Sequence, residues 1–204
     1  KKKVWDYDGW QEWDDVSGKA RRDGRKIHIG RLFGICVEKG SELPADDERG
    51  KFKYRVVFQG SQVVTETWEV AIFQAVGSAP ATMEAGKTID AYGCFPGHSC
   101  EQADAEQAYI QADLTGTETW VWLPDEAWEQ APADVKAAFR AKGLRRPVVR
   151  LRKALYGHPE SGRHWEKHLT SAVIKIGDLP VENHSSSFFF PKEKKFAIFP
   201  MTSA

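Results

Sequence analysis

The segment CEQADAEQAYIQ, residues 100–111, places an aspartate among small residues and an aromatic residue five positions later. We expect a short strand over residues 100–104. Side chains alternate between the two faces of a strand, so Gln102 and Asp104 share one face. An aspartate at the end of a strand has two interpretations: it caps a helix formed by the residues that follow, or it binds a magnesium ion.

The neighbouring segments predict an α+β fold. Residues 31–39 and 51–59 have the composition of strands, and the polar segment between them predicts a hairpin loop. We expect one antiparallel sheet to contain three further strands, at 100–104, 119–123 and 147–153. Two helices with apolar stripes are expected to pack on one face of that sheet, at 79–92 and 159–177. The apolar runs near the C-terminus, SSSFFF and KFAIF, predict a second hairpin.

Composition limits the classes of function. The chain has 204 residues, of which 41% are hydrophobic and 12% aromatic, enough to bury a sizeable core. Its formal net charge is zero, so any site for a polyanion must be local. No apolar run approaches the roughly 18 residues of a membrane span, and we expect no membrane partner. The three cysteines favour reduced thiols and an intracellular location, cytoplasmic or nuclear.

Two groups of residues carry alternative interpretations. Cys94, His98 and Cys100, with Cys36 as a fourth ligand, could bind zinc, but their spacing is more typical of loop residues and a small buried thiol. Three histidines near the start of the last helix are expected to face the surface or a nucleic acid: His158, His164 and His168. Basic clusters at 19–26, 51–55, 145–153 and 163–168 are either solvated surface or nucleic-acid contacts.

Three segments in this order resemble the reverse transcriptase domain of copia-type retrotransposons: KFKYRVVFQG (51–60), CEQADAEQAYIQADL (100–114) and LRKALYGHPESGRHW (151–165). The resemblance runs from about residue 29 to residue 190. Its most specific piece is LRKALYG with a tryptophan, Trp165, eight residues after Gly157. The resemblance implies partial polymerase fingers and a partial palm over residues 29–204, preceded by an N-terminal extension over 1–28. The implied partners are an RNA template, a DNA primer and deoxynucleoside triphosphates.

The resemblance also implies roles for single residues around the reaction centre. Asp104 matches the first catalytic carboxylate, which would bridge two Mg²⁺ ions, and Ala105 would offer its backbone carbonyl to one of them. Tyr109 matches an aromatic gate under the sugar, where its ring would collide with a ribose 2′-hydroxyl. Metal ions and cations are required there because charge develops on the phosphoryl oxygens.

Other matched residues would bind the nucleotide and the nucleic acid. Lys53 and Arg55 would bind the triphosphate, and their spacing of two places both on one face of a strand. Glu160 stands where the family commonly carries glutamine near the incoming nucleotide. Five basic residues are candidates for nucleic-acid contacts: Arg150, Arg152, Lys153, Arg163 and Lys167.

The family supplies its remaining metal ligands from an aromatic-x-Asp-Asp turn after the next pair of strands. Here the residues after KFAIF read PMTSA, and the two Asp-Asp pairs, at 14–15 and 46–47, precede Asp104. One carboxylate does not hold two Mg²⁺ ions. We therefore expect the domain to be truncated before that turn and inactive. The alternative function is that of a non-enzymatic, nucleic-acid-binding remnant of such an element.

Overall fold

The computed structural model describes residues 3–40, 51–73, 81–143, 145–182, 184 and 186–199. These residues form two compact units. Unit 1 comprises Lys3–Ile72 and Leu114–His158, and unit 2 comprises Phe73–Asp113 and Pro159–Ala204. Each unit contains one mixed β-sheet and α-helices, which confirms the α+β class. The loop predicted between the first two long strands lies outside the described residues apart from Gly40.

The strands of the described residues are β1 (Gln11–Glu12), β2 (Ile27–Lys39), β3 (Lys51–Phe58), β4 (Val64–Thr65), β5 (Ser99–Gln102), β6 (Glu118–Trp122), β7 (Pro147–Arg150), β8 (Leu179–Pro180), β9 (Ser187–Phe190) and β10 (Lys195–Ile198). The α-helices are α1 (Trp13–Arg22), α2 (Met83–Gly93), α3 (Asp125–Glu129), α4 (Ala133–Lys142) and α5 (Ser161–Lys175). Among these helices none has both the length and the apolar character that a membrane crossing requires.

The sheet of unit 1 has the order β1-β7-β6-β2-β3, and β4 also pairs with β2. The β2–β3 pair is antiparallel, from Leu32 opposite Phe58 to Lys39 opposite Lys51, which confirms the predicted hairpin strands. The first residues of β2 run parallel to β6, starting with Ile27 opposite Glu118. The buried first part of β2 therefore belongs to the core, and its exposed second part projects with β3.

The core of unit 1 is built around Trp13, which is 0% exposed. Trp13, Val16 and Ala20 of α1 recur at helical spacing, and this apolar stripe packs against the buried isoleucines of β2. The spacing of these three residues is the sequence signal that predicts α1. Residues before 29 thus contribute to the same core as the strands that follow them.

The sheet of unit 2 has the order β5-β10-β9-β8 and contains a parallel pair, β5 and β10. The prediction that residues 100–104 share one antiparallel sheet with 119–123 and 147–153 is wrong, because β6 and β7 pair in unit 1. All four residues of β5 are exposed. A strand so poor in apolar side chains suits the edge of a small sheet, where β10 is its one partner within the described residues.

The two helices of unit 2 cover opposite faces of its sheet, so the expectation of helices on one face is also wrong. Tyr92 of α2 contacts the rings of Phe189 and Phe196, which lie opposite each other in the β9–β10 pair. The apolar stripe of α5 instead packs against Phe188 and Phe190. Consecutive phenylalanines in a strand present rings to both faces, and both faces then need an apolar cover.

Candidate functional site

Asp104 lies two residues beyond the end of β5 and is exposed. The residues after it form a turn and then a 3₁₀-helix, Tyr109–Gln111, rather than an α-helix. The interpretation of Asp104 as the cap of a following α-helix is therefore wrong. An exposed carboxylate at the end of a strand has the solvent access that metal binding requires.

The strand that pairs with β5 determines which part of the chain lies beside Asp104. Strand β10 runs parallel to β5, with Ile198 opposite Gln102. The backbone N–H of Ala103 donates to the carbonyl oxygen of Ile198 at 3.1 Å. Because parallel strands end at the same edge of a sheet, the chain leaves β10 on the side where Asp104 lies.

Tyr109 is anchored on the other side of the same segment. Its half-buried ring packs, together with Ala105 and Ala108, against the cluster that contains Trp165 and Leu169 of α5. Burial raises the pKa of the Tyr109 phenol above its ordinary value of 10.0. The ring is thus partly a packing group.

Glu160 is the residue before α5 and forms an ion pair of 3.6 Å with Arg163. Only 17% of the Glu160 side chain is exposed, so its charge is partly compensated within unit 2. Arg163 and Lys167 are exposed on α5. Their positions leave both cations accessible to a polyanion.

Two of the three histidines do not face the surface as predicted. His158 and His164 are buried, whereas His168 is exposed and stacks on Trp165. Nε2 of His158 lies 3.4 Å from the hydroxyl of Thr119. Burial lowers the pKa of His164 below its ordinary value of 6.5. Apolar neighbours in the fold thus bury His164, although basic residues surround it in the sequence.

Lys53 and Arg55 lie in unit 1 on one face of β3, opposite Val37 and Ile35 of β2. Both cations are half-buried, while Ile35 and Val37 remain 38% and 49% exposed. The predicted shared face of the two cations is confirmed. The residues with implied roles are therefore divided between the units, since Asp104 and Tyr109 belong to unit 2.

Arg150, the last residue of β7, and Arg152, just beyond it, line a cleft of about 480 Å³ within unit 1. Arg150 pairs with Glu118 at 2.7 Å, and Arg152 pairs with Asp6 at 3.2 Å. Glu118 also contacts Arg25 at 3.1 Å, so one carboxylate joins two guanidinium groups. Sequence patterns had assigned these arginines to nucleic acid, and the acidic partners were missed because they lie far away in sequence.

The segments 51–60 and 151–157 meet in unit 1. The backbone N–H of Phe58 donates to the carbonyl oxygen of Tyr156 at 2.7 Å. Gly157 has a φ of +85°, and a Cβ there would lie 2.0 Å from the carbonyl oxygen of Phe58. Position 157 therefore requires glycine both for its backbone conformation and for this close approach.

The cysteine and histidine group of unit 2 has local partners. The thiol of Cys94 donates to the carbonyl oxygen of Asp90, and the ring of His98 packs on Tyr92. Within the described ranges, no three side chains among His, Cys, Asp and Glu are placed to hold a metal ion. The zinc interpretation thus has no supporting geometry in this part of the chain.

Comparison of the chain with protein-family models, curated proteins and solved structures gives no match.

Proposed function

We propose that the chain is an RNA-directed DNA polymerase domain of the copia type, with the β2–β3 hairpin as part of the fingers and the β5–β10 sheet as part of the palm. The proposal begins from the three ordered segments that resemble that family. The observation that carries it furthest is the position of Asp104 at the edge where β5 and β10 both end.

Strand β10 is the second strand of the pair after which the family places its aromatic-x-Asp-Asp turn. Carboxylates that follow such a strand would leave the sheet beside Asp104, because β5 and β10 are parallel neighbours. Phosphoryl transfer with two metal ions requires carboxylates that lie close together, and this topology would bring them together beside Asp104.

Asp104 and the carbonyl of Ala105 would supply the first ligands for Mg²⁺, which neutralises charge on the transferring phosphoryl group when bound. The exposure of Asp104 fits this role. Mg²⁺ prefers several oxygen ligands, and the described residues offer no complete set. Further carboxylates must therefore complete the site, which makes residues 1–204 by themselves inactive in this proposal.

Primer extension tests the proposal directly. Residues 1–204 are expected not to extend a DNA primer on an RNA template with Mg²⁺, whereas a chimera carrying the family's Asp-Asp turn and return strand behind Ile198 is expected to extend it. Asp104→Asn in the chimera should abolish extension, and Asp113→Asn, in the same segment, should retain it. Extension by residues 1–204 alone would contradict the expected inactivity of this part of the domain. Extension by the chimera with Asp104→Asn, or no extension by the unmodified chimera, would overturn the proposal.

Tyr109 gives a second, independent readout in the same chimera. Tyr109→Val should raise ribonucleotide incorporation and leave deoxynucleotide use largely intact, because the ring excludes the 2′-hydroxyl by its volume. Tyr109→Phe keeps the ring and should keep the selection. Equal loss of both activities with Tyr109→Val, together with a lower melting temperature, would show that the ring only packs against α5.

A further inference from the structure

The cleft of about 480 Å³ in unit 1 carries more positive than negative side chains. Its lining contains four cations and three carboxylates: Lys19, Arg25, Arg150 and Arg152 against Asp6, Asp23 and Glu118. The arginines pair with all of these carboxylates. One cation therefore remains in a concave surface without a carboxylate.

That cation is Lys19, which lies on α1 with an exposed side chain. Within the described residues its ammonium group has neither an ion pair nor a hydrogen bond. An anion that enters the cleft therefore gains an ion pair with Lys19 without displacing a carboxylate of the protein.

Arg150 and Arg152 also keep donors for a ligand. Arg150 contacts Glu118 through Nη1, and Arg152 contacts Asp6 through Nη2. In the part of the chain that the structure describes, the other guanidinium nitrogens of these two arginines have no acceptor. At least 34% of each side chain is exposed, so a ligand in the cleft can reach these donors.

The donors indicate the chemistry of the ligand. Guanidinium groups match the geometry of phosphate oxygens, and an ammonium group binds phosphate as a point charge. A phosphate group has enough oxygens to accept from Lys19, Arg150 and Arg152 together, whereas a carboxylate has only two. The set of donors therefore favours phosphate.

The rest of the cleft suits a compact organic group attached to the phosphate. Val16, Ile27 and Trp120 are buried and add an apolar surface to the lining. The volume of about 480 Å³ lies within the range of about 300–1,000 Å³ that is typical of small-molecule sites. A phosphate group alone would leave most of that space empty.

The carboxylates of the lining disfavour a nucleic-acid chain as the ligand. Phosphates follow one another closely along a strand, and a chain that crosses the cleft would bring some of them near Asp6, Asp23 or Glu118. Like charges that face each other suppress binding. A single phosphate group contacts the cations without that repulsion.

We propose that this cleft binds a small phosphate monoester, and that Lys19, Arg150 and Arg152 contact its phosphate group. The site lies in unit 1 and does not depend on the polymerase assignment.

Inorganic phosphate and phenyl phosphate test the site, because they share the phosphate group and differ in the ring. Titration calorimetry on residues 1–204 at constant ionic strength is expected to give a Kd for inorganic phosphate on the order of 1 mM. Phenyl phosphate should bind about tenfold more tightly, since its ring covers apolar surface of the lining. Lys19→Gln should weaken both probes about tenfold, a typical value for one hydrogen bond to a charged group.

Arg22→Gln is the matched control, because Arg22 is exposed on the same helix and does not line the cleft. It removes the same charge and should change both affinities less than about twofold. The proposal is overturned if neither probe binds at about 10 mM, ten times the expected Kd, or if Lys19→Gln and Arg22→Gln behave alike. It also fails if the two probes bind equally to the unmodified chain.

A primer–template duplex distinguishes the phosphates of a nucleic acid from a small phosphate ester. The affinity for the duplex, measured by fluorescence anisotropy, should fall less than about twofold with Lys19→Gln. Equal losses for the duplex and for phenyl phosphate would assign the cleft to a nucleic-acid backbone and would overturn the proposal.

Discussion

The two units place their carboxylates in different surroundings. In unit 1, Glu118 and Asp6 are held by arginines around a cleft. In unit 2, Asp104 is exposed where two parallel strands end together. A carboxylate between guanidinium groups is committed to ion pairs of the fold, whereas the exposed carboxylate of Asp104 is accessible to solvent. The surroundings, rather than residue type, thus separate a stabilising acid from a candidate catalytic acid.

The cores of the units differ as well. Trp13 in unit 1 is enclosed by a helix and central strands. Trp165 in unit 2 lies between α5 and one face of a four-stranded sheet, whose other face has its own helix. The core of unit 1 therefore packs against its sheet, whereas unit 2 has an apolar layer on each side of its sheet.

Removal of each core tryptophan should have the largest effect. Trp13→Ala and Trp165→Ala are each expected to lower the free energy of unfolding by about 3–5 kcal/mol, since each leaves a large cavity. Trp68→Ala, at a position that is 50% exposed, is the control and should cost clearly less. Urea unfolding measures the totals, and amide hydrogen exchange should show the greatest loss of protection within the substituted unit. A cost for Trp165→Ala no larger than that of Trp68→Ala would contradict the enclosed core of unit 2.

The next largest loss of stability is expected from a substitution at a glycine of unit 1. Gly157→Ala should cost about 2–4 kcal/mol, because the new Cβ meets the carbonyl oxygen of Phe58 and the φ is positive. Gly143→Ala is the matched control: its φ is +57°, but a Cβ there has nothing within 4 Å. That change should cost only about 1 kcal/mol. Equal melting temperatures for the two variants would argue against the contact between the segments 51–60 and 151–157.

Whether a feature could be predicted from the sequence depends on how far apart in the sequence the interacting residues lie. The β2–β3 strands and the hairpin of β9 and β10 were predicted because local patterns determine them. The partner of β5 was not, since a strand of four exposed residues carries no pairing signal. The three phenylalanines of β9 could have indicated helices on both faces.

The same distinction between local and long-range interactions applies to the candidate site. The shared face of Lys53 and Arg55 follows from strand geometry. The partners of Arg150 and Arg152 do not, because Glu118 and Asp6 are joined to them only by the tertiary fold. The burial of His164 was hidden by the basic residues around it in sequence.

A charge test sharpens the contrast between committed and accessible carboxylates. Glu118→Gln leaves Arg25 and Arg150 without their shared anion and adds one positive charge to the cleft. We expect a loss of about 1 kcal/mol in stability and a rise of about twofold to tenfold in affinity for a primer–template duplex at low salt. Replacing Arg150, Arg152 and Lys153 by alanine should lower that affinity.

Glu126→Gln makes the same charge change at an exposed position of α3 and is the control for the cleft. It should leave stability nearly unchanged and raise the affinity less. Fluorescence anisotropy at several salt concentrations gives the affinities. Equal gains from both variants would mean that net charge, and not the cleft, governs binding.

The smallest expected effect concerns pH and compares the buried histidines of the two units. Burial is the largest cause that lowers the pKa of His164 in unit 2 and of His28 in unit 1, both from 6.5. Arg163 and Lys167 lower the pKa of His164 further, and Glu160 raises it. An unfolded chain then binds protons more readily than the folded one. Stability is full above pH 6.5 and falls as the pH drops below 6.5 toward the lower folded value.

His164→Gln should remove part of this acid sensitivity, and His28→Gln should remove another part, because each takes away one group whose protonation opposes folding. His168→Gln is the control for unit 2, since His168 is exposed on the same helix. Urea unfolding at pH 7.5, 6.5 and 5.5 measures the slope for each variant. We expect the slopes of the His164 and His28 variants to lie below that of the unmodified chain, and the His168 variant to match the unmodified chain. A His164→Gln slope identical to that of the unmodified chain would show that protonation of His164 does not lower the stability of the folded state. Water would then reach His164 in spite of the apolar side chains that surround it on α5.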